Sequence, residues 1–108
     1  DDSVETFVTG NPNEPYLGYF TNPEASGFSR YQGSVVTGVD WDASANIASD
    51  RWTTVQAIPF AEIGIDPMET KMLSGLFFRN YHGNSVHIGW DGGAPWRIES
   101  FRPVHLVE

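Results

Sequence analysis

Nothing in this chain keeps a helical period over a useful length, and turn-forming residues cut it into short segments of alternating character. Residues 3–9, SVETFVT, put Val4, Thr6 and Val8 on one face and Glu5, Phe7 and Thr9 on the other, the pattern of a strand. Gly10-Asn11-Pro12-Asn13 and Pro15 break it, and the aromatic run 16–21, YLGYFT, predicts a second strand ended by Asn22-Pro23. A loop is expected over 24–27. Residues 28–41 read as one or two strands with bends at Gly33 and Gly38. The small polar stretch 42–50, DASANIASD, reads as a loop. Alternation returns in 51–58, RWTTVQAI, where Trp52, Thr54, Gln56 and Ile58 share a parity. Pro59, Glu62 and Gly64 predict a single helical turn over 59–64. Strands are expected again over 72–81, 85–90 and 98–107. Strand signals thus recur roughly every ten residues, which predicts an all-β fold, an antiparallel β-sandwich of jelly-roll type, as one domain over 1–108.

Bulk properties narrow the functions open to such a fold. The 108 residues hold one small core, and 40% hydrophobic against 19% charged residues is globular rather than disordered. A net charge of −8 repels nucleic acid but is compatible with neutral ligands or calcium. The absence of cysteine removes disulfides and thiolate metal sites. No apolar run is long enough to cross a membrane. The opening Asp1-Asp2-Ser3, with neither Met nor signal peptide ahead of it, reads as a processed or excised piece of something larger.

Aromatic residues make up 14% of the chain, several beside Gly, Asn or Asp. The densest case is Trp90-Asp91-Gly92-Gly93-Ala94-Pro95-Trp96. Two readings fit it: one Trp in the core capped by the other, or a sugar platform. An indole offers a flat partner to the C–H face of a pyranose, while Asp91, Arg97 or backbone groups meet the hydroxyls. Trp90 shares the parity of Val86 and Ile88 and is expected in the core with Leu76 and Phe78. Trp96, after a proline, is expected to face the ligand. Glu5 fits either a solvated strand position or, with Phe7 on its parity, a groove floor. Trp41 lies between Asp40 and Asp42, as a rim contact or a solvated loop.

Metal and catalytic patterns are thin. Asp40, Asp42 and Asp50 are candidates for a loose calcium site, but the Gly and closing Glu of an EF-hand are missing. His82, His87 and His105 lack H-x-H or H-x-x-x-H spacing, so they are only weak candidates for copper or zinc. No facing carboxylate pair, nucleophile elbow, phosphate loop or dinucleotide fingerprint appears.

Taken in order, DDSVETFV, YLGYFTNPEASG, RWTTVQAIPFAEIGI, GLFFRNY and HIGWDGGAPWRIESFRPVHLVE resemble the C-terminal portion of a family 9 carbohydrate-binding module, of the type attached to bacterial xylanases. The family's domain is longer, and this chain lacks its N-terminal strands. The resemblance implies that sheet edges and apolar surface stay open unless another chain or a swapped partner completes them. It also implies a sugar ring held between two Trp side chains, with Trp96 and Arg97 at the closing-loop platform, Glu5 accepting sugar hydroxyls, and Arg79 at a polar inner position. The second ring falls ahead of Asp1, with Tyr19 or Trp41 as substitutes within the chain. Phe20 stands where the family has an Arg, and Phe101-Arg102 replaces a Phe-Gly pair.

The expectation is therefore non-catalytic binding of a plant-type carbohydrate such as xylan or cellulose by an extracellular or cell-surface domain of bacterial secreted type. Its ligand residues would be Trp96, Glu5, Arg97, Arg79, Asp91, Trp41 and Tyr19. No cofactor is expected beyond a structural calcium, and no nucleic-acid or membrane partner. Two alternatives stand beside it: a small copper or zinc β-barrel enzyme acting on polysaccharide through the histidines, and a structural module pairing with other chains or copies of itself.

Overall fold

A computed structural model describes residues 2–11, 16–25, 29–32, 34–36, 40–81 and 86–107, with no side-chain description for 29–32, 34–36, 81, 86 and 87. The fold is all-β and antiparallel. Its strands are β1 (Ser3–Thr9), β2 (Leu17–Thr21), β3 (Ser29–Gln32), β4 (Ser34–Val36), β5 (Asp42–Ile47), β6 (Trp52–Ala57), β7 (Met72–Tyr81), β8 (Val86–Gly89) and β9 (Arg102–His105). Seven of them form one sheet in the order β4-β3-β2-β1-β7, with β7 continuing to β8 along one half and β9 along the other. The remaining two, β5 and β6, form a separate hairpin.

Register explains the two cores. In β1, Phe7 lies opposite Leu76 and Gly18, and Glu5 opposite Phe78 and Phe20. These side chains share a face, since strand neighbours alternate. Phe7, Leu76, Phe78 and Phe101 are buried there, with Tyr16 and Phe20 packed against them. The Phe7 ring lies across Gly18, where an added Cβ would come within 2.6 Å of it. On the opposite face Val8, Leu17, Tyr19 and Trp41 form a second cluster against Ala43, Ile58 and Ile63. The hairpin covers this second face, which gives a sandwich-like arrangement with a narrow second layer.

What holds the hairpin down is visible in β6. Trp52, Thr54 and Gln56 turn inward, as their shared parity predicts. Gln56 Nε2 donates to the Tyr19 carbonyl at 3.1 Å and the Thr21 hydroxyl at 2.7 Å. The stretch 42–47, expected as a loop, is instead strand β5, paired with β6 from Asp42↔Ala57 to Ile47↔Trp52. Its residues alternate, Ala43, Ala45 and Ile47 against Asp42, Ser44 and Asn46, but two of the three apolar ones are alanines of low strand propensity, and its pairing comes from β6.

The expected helical turn is α1 (Phe60–Ile63). Gly64 ends it at φ 73°, its N–H donating to the Ala61 carbonyl, which suits glycine. Expected bends at Gly33 and Gly38 lie outside the described residues.

Candidate functional site

Residues 90–101 leave β7 where β8 ends and β9 begins, at Phe78↔Gly89 and Gly75↔Arg102. The segment wraps around this edge of β7 from one face of the sheet to the other. Trp90 packs beside Phe77, ring centroids 5.3 Å apart. Trp96 stands edge-on to Phe78 at 6.2 Å. Phe77 and Phe78 are successive strand residues and point to opposite faces. The two tryptophans therefore lie on opposite sides of the sheet and cannot hold one ring between them.

One hydroxyl fixes the crossing. Ser100 is buried, and its Oγ accepts from the Ala94 N–H at 3.0 Å and donates to the Arg97 carbonyl at 2.6 Å. Gly93 lies on the core, where an added Cβ would meet Leu76 at 2.7 Å. Asp91 takes the left-handed conformation at φ 54°, which Asp tolerates better than most residues. Its carboxylate accepts from Arg102 Nε at 2.8 Å. Arg97 donates to the Gly92 carbonyl at 3.0 Å. Ser100 is not singled out by sequence, since it is no part of the Trp-Gly pattern, and Arg102 stands out there only as a departure from the family's Phe-Gly pair.

Trp96 is 73% exposed, on the face where Glu5 lies directly across from Phe78. Glu5 is half-buried and its Oε1 accepts from Ser3 Oγ at 3.0 Å. Ser3 in turn lies opposite Asn80, whose Oδ1 is buried with no hydrogen-bond partner among the described residues. Trp96, Glu5, Ser3 and Asn80 thus share one face; Arg97 is exposed on the loop, and Asp91, also exposed, is held by Arg102, whose position opposite Gly75 puts it on the other face.

Other predicted ligand residues lie elsewhere. Tyr19 is 0% exposed and Trp41 5%, packed edge-to-face at 5.0 Å under the hairpin. Neither offers a ring face to a ligand, which corrects their assignment as a second platform. Arg79 is on the hairpin face, paired with Asp2 at 3.3 Å and lying over the Trp52 ring at 5.1 Å. It is therefore separated by the sheet from Glu5 and Trp96. Trp90 and Ile88, expected in the core, are 40% and 55% exposed, because the hairpin stops short of β8. Leu76 and Phe78 are buried as expected, and the Val86 side chain lies outside the described residues.

The metal candidates do not converge. Asp42 begins β5 and Asp50 lies beyond its far end at Ile47, so the length of the strand, about 16 Å, separates them. Asp50 instead accepts two bonds from Arg51, at 2.9 and 3.1 Å, and the adjacent guanidinium lowers its pKa. Asp40 is exposed beside buried Trp41. His87 lies opposite Asn80 and His105 opposite Met72, so eight positions of β7, about 26 Å, separate their backbones. His82 and the His87 side chain lie outside the described residues, and the His105 side chain is exposed. Among the described residues no three His, Asp or Glu side chains group as metal ligands, and no helix is long and apolar enough to cross a membrane. In comparisons with known proteins, no family model, no curated protein and no solved structure matches the chain.

Proposed function

We propose that the chain is a non-catalytic carbohydrate-binding domain that holds a neutral polysaccharide or oligosaccharide against Trp96. The observation that carries this reading is a large indole, mostly exposed yet held edge-on against the buried ring of Phe78. A solvent-facing Trp on a pinned loop is a costly way to close a turn and a good way to present a flat apolar face. The C–H face of a pyranose stacks on it and displaces poorly held water. Hydroxyls at the ring edge need fixed acceptors and donors. The Glu5 carboxylate, with about four acceptor sites, lies across the strand from Phe78, and the Arg97 guanidinium adjoins Trp96 in the chain. Binding here uses a single ring rather than a sandwich, so contact lies along the chain of the sugar rather than around one end. Xylan and cellulose are the ligands to try first, because the sequence resembles the family 9 modules of bacterial xylanases. Such a domain works outside the cell, next to an enzyme or surface protein that it delivers to polysaccharide.

Calorimetry with xylohexaose and cellohexaose tests this. Trp96→Ala is expected to weaken binding at least tenfold, about 1.4 kcal/mol, with folding stability unchanged. Trp90→Ala, on the other face, is expected to bind within twofold of the parent. Equal affinity of the parent and Trp96→Ala overturns the assignment.

A further inference from the structure

We propose that the hollow between α1, the turn 66–70 and the tail 106–107 binds an aliphatic carboxylate of fatty-acid type, with Lys71 meeting its charged end. The hollow measures about 440 Å³ and is lined by Phe60, Pro67, Met68, Lys71, Leu106 and Val107. That is room for a small organic ligand. Five of the six lining residues are apolar. Met68 and Val107 are 79% and 90% exposed, more than Trp96. Apolar side chains exposed together, rather than singly, mark a contact surface.

Hydrogen bonds hold the walls in place. In the turn, Asp66 Oδ1 accepts from the Met68 N–H at 2.9 Å, and the Asp66 carbonyl accepts from the Thr70 N–H at 2.8 Å. The Leu106 N–H donates to the Lys71 carbonyl at 2.9 Å, which brings the tail after β9 against the start of β7. Phe60 opens α1, and its carbonyl accepts from the Ile65 N–H at 3.3 Å. Lys71 selects the ligand. It is the chain's single lysine and, among the described residues, the sole charged one lining the hollow. Its Nζ donates to the Pro67 carbonyl at 2.8 Å, which fixes the ammonium beside the apolar wall. An ammonium has three donors, so two more N–H groups serve an anion. A carboxylate takes them while its hydrocarbon tail covers Met68, Leu106 and Val107. The net charge of −8 acts from farther off, and salt screens it over about 10 Å, whereas the Lys71 contact is direct. Lys71 precedes Met72 at the start of β7, six strand positions or about 20 Å from Phe78. The site is therefore separate from Trp96 and does not depend on the sugar reading.

Sodium decanoate below its micelle concentration is the probe, titrated into isotope-labelled protein and followed by NMR. The methyl signals of Met68, Leu106 and Val107 are expected to move together, and the Lys71 side-chain signals with them. Decanol has the same tail without the charge, and is expected to bind the parent about fivefold more weakly than decanoate. Lys71→Gln is expected to bind the two probes alike, while Lys71→Arg keeps the preference for decanoate. The proposal is overturned if decanoate at millimolar concentration leaves these signals still. It is also overturned if decanol binds the parent as tightly as decanoate, or if Lys71→Gln keeps the full preference. A protein that ignores decanoate but sediments with phosphatidylcholine–phosphatidylglycerol vesicles overturns it too, since a bilayer is then the occupant.

Discussion

Ser100 carries more of the candidate site than its size suggests. Its hydroxyl satisfies the buried N–H of Ala94 and holds the Arg97 carbonyl, and these bonds set where Trp96 stands. Ser100→Ala leaves that N–H buried without its partner, at an expected cost of about 1–3 kcal/mol in chemical denaturation. The same variant is expected to weaken sugar binding although Ser100 touches no sugar. Trp90 shows the limit of reading residues from sequence. Its parity with Ile88 was legible, and both do lie on the hairpin face. Their burial was not legible, because it depends on how far a separate hairpin reaches across the sheet. Trp96 was legible as exposed from its proline and its loop. That the sheet divides the two tryptophans follows only from the packing of Phe77 and Phe78.

The alternating strands β1 and β6, and β7 with its hydrophobic run, were legible nearly to the residue. β5 was not, since its apolar parity, Ala43, Ala45 and Ile47, is mostly alanine and only Ile47 is β-branched, and it becomes a strand by pairing with β6. Gln56 anchors that pair to β2 through two hydrogen bonds. Gln56→Ala is expected to destabilise by about 1–3 kcal/mol. It is also expected to speed amide exchange in β5 and β6 before the main sheet, which hydrogen exchange by NMR would resolve. Equal acceleration in all strands would mean that the hairpin and sheet unfold as one unit. At α1, the Pro-Phe-Ala-Glu-Ile-Gly signal predicted the turn and its closing glycine, and the structure adds that Gly64 is left-handed. Gly64→Ala is expected to cost about 1 kcal/mol by thermal melting, as a side chain must adopt positive φ there.

The molecule as a whole presents two different surfaces on one acidic chain. One carries Trp96 beside Glu5, and suits a neutral ligand. The other carries Phe77, Ile88 and Trp90, each about half exposed beside the hairpin. Raising sodium chloride from about 0.05 to 0.5 M shortens the screening length several-fold and is expected to leave xylohexaose affinity unchanged. The tryptophans at positions 41, 52, 90 and 96 report on both faces through their indole N–H signals. In an NMR titration with xylohexaose or cellohexaose, the Trp96 indole signal is predicted to move most, with Trp41 and Trp90 nearly still. A titration in which the sugar binds while Trp96 stays still, or in which Trp90 and Trp52 move in its place, contradicts the reading of Trp96 as the sugar platform.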